Sequence, residues 1–150
     1  MLLRVERCLA VLITQRSQVH AQVSLSAAQA GIRVSRVSEA QPGPEDTKII
    51  TLARSARARV AAAEGAAVRD QTGRTYAAAA VALPSLRLSA LQLAVAMAVS
   101  SGAASLEAAV LVSDADQPDP ADLAAVRDIG PNATVFLADP DGTLRATLRP

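Results

Sequence analysis

The chain has 150 residues, enough for one domain with a core of ordinary size. Lys plus Arg number 15 and Asp plus Glu 14, so the net charge of +1 gives no global electrostatic case for nucleic acid or an anionic membrane. One cysteine (Cys8) and one histidine (His20) exclude a disulfide framework and a Cys/His zinc set, and two aromatics, Tyr76 and Phe136, offer no platform for stacked bases.

Near the start, residues 8–13 form an apolar run that Thr14, Gln15 and Arg16 interrupt before a secretory core of roughly 7–15 apolar residues is complete. The longest later run, 89–99, reaches about half of the ~20 residues a spanning helix needs. The expectation is a chain without membrane contact, working in the cytoplasm. Residues 1–45 show no sustained period beyond some helix around 3–15. They close on the breaker cluster Gln41-Pro-Gly-Pro-Glu45. They are expected to be a poorly ordered N-terminal extension and linker, with the folded domain at 46–150.

From Glu45 the pattern sharpens. Asp46-Thr47 can cap a helix to about Ala63, with Ile49, Leu52, Ala53, Ala56, Val60 and Ala63 on one face and Gly65 ending it. Residues 66–70 and 75–83 read as two strands joined by Gln71-Thr-Gly-Arg74, a turn centred on Gly73. Pro84-Ser85 breaks the second strand and opens a helix from about Leu86 to Ser100. Its middle has Gln92 as the only strongly polar residue, and a helix apolar on every side is a buried one. Gly102 ends it.

Residues 106–113 contain a buried-strand run, Ala108-Ala-Val-Leu-Val112, followed by an acidic loop with prolines. Asp119-Pro-Ala-Asp122 opens the next helix, with Asp119 as N-cap, Pro120 at the first helical position and Asp122 complementing the positive helix end. That helix runs to about Asp128 and stops at Gly130-Pro131. Residues 134–138 and 143–148 are strands joined by the turn Asp139-Pro-Asp-Gly142. The order α-β-β-α-β-α-β-β predicts an α/β fold. Its five-stranded mixed sheet lies inside a three-layer α-β-α sandwich, with the 86–100 helix at the centre.

Local patterns fall along that order. They are Gly65-Ala-Ala67 in the first strand, Gly73 at the hairpin, and the helix Ser89-Ala-Leu-Gln-Leu-Ala-Val-Ala-Met-Ala-Val-Ser-Ser-Gly102. Pro118-Asp-Pro-Ala-Asp122 follows, then Pro131 and Val135-Phe-Leu-Ala-Asp-Pro-Asp-Gly142. Together they make 46–150 resemble the small homo-oligomeric cytidine deaminase family, in which two helix N-termini hold a catalytic zinc. The resemblance implies the cytidine-deaminase-like sandwich and a homo-oligomer, dimer or tetramer.

Hydrolytic deamination needs three zinc ligands, an activated water and a proton-shuttling glutamate. Carried over position by position, the resemblance puts the first ligand on Ser89, the glutamate on Leu91 and the two cysteine ligands on Asp119 and Asp122. The residues that hold the ribose fall on Ala80 and Ala82. All six are changed. Leucine transfers no proton, so the resemblance implies a degenerate member with no catalytic, metal or substrate-binding residue at these positions and no cofactor. Ser89 with two aspartates is a hard oxygen set, better suited to Mg²⁺ or Ca²⁺ than to zinc. The simpler reading of Asp119 and Asp122 is an N-cap and an acidic first turn, and of Ser89 a small residue filling space.

Three functions fit these residues. The first is an inactive deaminase-like protein acting as an oligomeric scaffold or binding module, its small-molecule ligand left open. The second is an active cytidine or deoxycytidine deaminase, which would have to borrow zinc ligands from carboxylates or neighbouring subunits. The third is an RNA-associated accessory protein using Arg54, Arg57, Arg59, Arg69, Arg74 and Arg87. Their weak clustering and the near-neutral charge argue against nucleic acid.

Overall fold

A computed structural model of the chain describes residues 33–35 and 42–150. The expected helix around 3–15, Cys8 and His20 lie outside the described residues. The chain divides into two units between Val34 and Ser35, and a three-residue strand, β1 (Arg33–Ser35), falls at that division. Within the second unit the helices are α1 (Pro44–Arg59), α2 (Ala90–Ser100) and α3 (Pro120–Ile129). The strands are β2 (Glu64–Asp70), β3 (Thr75–Ala79), β4 (Val81–Leu83), β5 (Leu86–Leu88), β6 (Leu106–Ser113), β7 (Thr134–Ala138) and β8 (Leu144–Arg149).

Five of these strands stand in the order β8-β7-β6-β2-β3. The β6–β7 pair is parallel and the others are antiparallel, so the sheet is mixed as expected. Strand alternation sorts the core into two halves. Ala67, Ala108, Val110, Val112, Phe136 and Ala138 face α1, where they pack with Ile49, Ile50 and Ala53. The alternate residues Ala66, Val68, Ala109, Leu111, Val135 and Leu137 face the other way, toward α2 and α3, whose Leu91, Ala94, Ala98, Leu123 and Val126 are buried. The three layers follow from that division.

Several boundaries differ from the expectation. α1 begins two residues before Asp46, on Gly43 as N-cap with no side-chain cap, because Pro44 supplies a pre-set φ at the first position. It ends at Arg59 rather than Ala63, since Ala61 takes a left-handed φ of +49°. Gly65 does not terminate the helix. It lies inside β2, where α1 crosses so closely that a Cβ would sit 2.2 Å from the Ala53 carbonyl oxygen. Gly73 does make its turn, at φ +81°.

The expected strand 75–83 is interrupted at Ala80, and its second part pairs with Leu86–Leu88, the residues expected to open the helix. Pro84-Ser85 is thus the tip of a β4–β5 hairpin, Val81 opposite Leu88 and Leu83 opposite Leu86. α2 starts only after Ser89, whose hydroxyl accepts the Gln92 amide and fixes the N-terminus. Nor is α2 buried on every side, for Met97 and Val99 are 38 % and 48 % exposed. Among the described residues no helix is long and apolar enough to cross a membrane.

Candidate functional site

Two helix N-termini meet on the α2–α3 side of the sheet. Ser89, in extended backbone at φ −65° and ψ 162°, caps α2, and Asp119, also extended, caps α3 by accepting the Ala121 amide at 2.8 Å. Asp122, in the first turn of α3, is 1 % exposed. It accepts the Ser89 hydroxyl at 2.5 Å, while Ser89 Oγ accepts the Gln92 amide at 3.1 Å. The Gln92 side chain also hydrogen-bonds to Asp122. The loop between β6 and α3 is held from the sheet: Arg145 of β8 donates to the Ser113 carbonyl at 2.7 Å. Its Nε lies 3.1 Å from Asp139 but is aligned for no hydrogen bond.

Of the residues singled out in the sequence, the structure brings Ser89 and Asp122 into direct contact. Asp119 lies beside them, with one oxygen engaged in its cap. Leu91 is fully buried in the core beneath the α2 N-terminus. Ala80 donates its amide to the Glu64 carbonyl at 3.3 Å, and Ala82 is exposed on the β4–β5 hairpin, opposite Arg87.

One site residue escaped the sequence reading. Glu64, the first residue of β2, carries a carboxylate that accepts the Ala90 amide at the α2 N-terminus, where the exposed N–H groups favour a negative charge. The charges of Asp122 and Asp119 reach it in turn. Placing the strand at 66–70 left Glu64 in a loop. Extending the alternation of Ala66 and Val68 one step back puts it on the α2 side.

Glu64 and Asp122 both titrate above the ordinary carboxylate range. For Asp122 the main cause is burial, opposed by the Ser89 hydroxyl, raised further by the Asp119 charge and opposed again by Gln92. For Glu64 burial again leads and the Asp122 charge adds, while the Ala90 amide opposes and Asp119 adds a little. None of the ion pairs among the described residues involves these three carboxylates. Among the described residues there is also no group of three His, Cys, Asp or Glu that could hold a metal ion. Chemically the site is a buried carboxylate held by a hydroxyl, with two further carboxylates close enough for their charges to be felt.

The arginines do not form one patch. Arg69 is tied to Asp46 at 3.1 Å and Glu107 at 3.3 Å, and Arg57 to Asp114 at 3.3 Å. Arg74 lies in the β2–β3 turn and Arg87 on the hairpin.

A family model described as cytidine deaminase-like matches residues 42–142. Among solved structures, the cytidine deaminase from Burkholderia pseudomallei superposes with a TM-score of 0.59 at 22 % identity, covering 66 % of this chain and 88 % of that one. The cytidine deaminase from Mycobacterium leprae gives 0.52 at 20 % identity, covering 66 % and 90 %. No curated protein matches the sequence.

Proposed function

This chain belongs to the cytidine deaminase-like family, and from that premise we propose that it keeps the fold without hydrolytic deamination, as a homo-oligomeric scaffold or binding module. On this reading Ser89, Asp119 and Asp122 stand where the family holds zinc, Leu91 where it has its proton-shuttling glutamate, and Ala80 and Ala82 where it grips the ribose.

The observation that carries the reading is the donor set where the two helix N-termini meet: the Ser89 hydroxyl and the Asp119 and Asp122 carboxylates, without thiolate or imidazole, do not suit zinc. Within it the Ser89 hydroxyl donates to Asp122 Oδ1 at 2.5 Å, a charge-assisted hydrogen bond that ties the two helix ends together. Leu91, fully buried, has no proton to give.

The oligomer finds support in apolar residues left in water. Leu83 and Leu86 are 55 % and 48 % exposed on a two-stranded hairpin, a unit of marginal stability by itself, and Met97 and Val99 are exposed on α2. Light scattering is expected to give a dimer or tetramer, which the double substitution Leu83→Ser/Leu86→Ser shifts toward monomer.

The deciding experiment measures metal content and cytidine turnover on one zinc-supplemented sample of the full chain. The expected result is zinc far below one per chain and no uridine formed. Zinc near one per chain with turnover would establish an active deaminase and end this proposal.

A further inference from the structure

On the opposite side of the sheet from Ser89 and Asp122, the outer surface of α1 and the β7–β8 turn enclose an open hollow of about 240 Å³. It is lined by Thr51, Arg54, Ser55, Arg57, Ala58 and Pro140, two arginines among them and no acidic residue. We propose that this hollow is a binding site for a phosphate monoester, with Arg54 and Arg57 as its anion-holding residues.

The two arginines are set up differently. The stem of Arg54 lies against Gly142, whose φ of +93° belongs to the turn. A Cβ there would meet Arg54 Cδ at 2.6 Å, so the glycine leaves room for the stem. Among the described residues the Arg54 guanidinium makes no hydrogen bond or ion pair; its charge is felt only weakly by Asp141. Arg57 is anchored through Nε to the Ala63 carbonyl at 3.0 Å and through Nη2 to Asp114 at 3.3 Å. Its Nη1 has no hydrogen-bond partner among the described residues. The Asp114 side chain is 77 % exposed, so an anion competes with it at little cost.

Guanidinium groups present planar paired donors that match phosphate oxygens. A site between two of them suits a dianion better than a single negative charge, and an open hollow admits the phosphate while the rest of the ester stays outside. The inference is independent of whether the family chemistry is present, because it concerns neither helix N-terminus at the Ser89–Asp122 site.

The test titrates the full chain with inorganic phosphate, a nucleoside 5′-monophosphate, the parent nucleoside and acetate at constant ionic strength, followed by calorimetry or amide chemical shifts. Saturable one-to-one binding of phosphate and the monophosphate is expected, with acetate and the nucleoside failing to saturate. Arg54→Ala and Arg57→Gln should each weaken phosphate at least about fivefold, the loss expected for one charge-assisted hydrogen bond. Arg59→Ala, which removes the same charge from the same helix outside the lining, should not. Asp114→Asn, which removes the competitor for Arg57, should tighten binding. The proposal fails if phosphate does not saturate, if acetate binds as well, or if Arg59→Ala weakens binding as much as Arg54→Ala.

Discussion

The hydroxyl of Ser89 donates to Asp122 Oδ1 at 2.5 Å and joins the first turns of α2 and α3, which are 33 residues apart in the chain. This one hydroxyl does two jobs, because its oxygen also caps α2 by accepting the Gln92 amide. Removing it takes away a cap and strands a buried carboxyl. Ser89→Ala is expected to cost about 1–3 kcal/mol. Asp122→Asn, whose amide oxygen still accepts the hydroxyl, should cost less than about 1 kcal/mol. Urea unfolding of the two variants checks this. Equal losses would mean that the charge of Asp122, rather than its acceptor oxygen, is what Ser89 responds to.

The raised carboxyls set a pH dependence whose sign is definite. Glu64 and Asp122 bind protons more tightly folded than unfolded. The stability they contribute is therefore complete below the ordinary carboxylate range, roughly pH 4. It is lost as pH rises through their raised folded values. Glu64→Gln removes one titrating charge together with the repulsion it feels from Asp122 and Asp119. The variant should have a higher urea midpoint than the parent at neutral pH, and the difference should close as the pH falls toward 4. A midpoint difference that does not change with pH would contradict it.

Asp70 is expected to act in the opposite sense. Burial raises its carboxyl, but the Thr72 hydroxyl and amide, the Arg74 amide and the Tyr76 hydroxyl together hold it below the ordinary range. Its contribution is present above the unfolded value and is lost as pH falls through the folded one. Asp70→Asn should therefore flatten the acid limb of the stability profile, read from thermal midpoints between pH 2 and 6.

Two glycines separate close packing from turn geometry. Gly65→Ala drives a methyl into the Ala53 carbonyl and the Arg57 Cβ, 2.2 and 2.7 Å away, both on α1. A cost of about 2 kcal/mol or more is expected, because backbone must move. Gly73→Ala meets nothing within 4 Å and suffers only from its φ of +81°, a cost of about 1 kcal/mol. Denaturant midpoints should rank them in that order.

Leu91 tests whether the Ser89–Asp122 site could regain a proton shuttle. It is fully buried, so Leu91→Ala should cost about 2–5 kcal/mol through the cavity it leaves. Leu91→Glu places a carboxyl there without a partner and should cost at least as much. No cytidine turnover should appear in it. A stable Leu91→Glu protein that deaminates cytidine would show the rest of the site to be intact.

Wherever a signal was local, the sequence sufficed for the fold. Alternation and breakers placed β6, β7 and the Asp119-capped α3 within a residue, because Pro120, Gly130 and the apolar runs act on their own neighbours. The element order and the family resemblance followed from these. What the sequence could not decide was anything resting on contact across the chain. Gly65 looked like a helix stop, and only α1 lying over β2 shows that it is a gap kept open for a backbone. Leu86–Leu88 carried a helix-compatible pattern, and only its pairing with Val81–Leu83 makes it a strand. Ser89 and Asp122 stand out as site positions in the sequence, yet their hydrogen bond exists only because two helix ends converge. Glu64 belongs to no sequence motif. Its carboxylate matters through Ala90 and Asp122, far along the chain, and distance in sequence carries no record of distance in space until the sheet has formed.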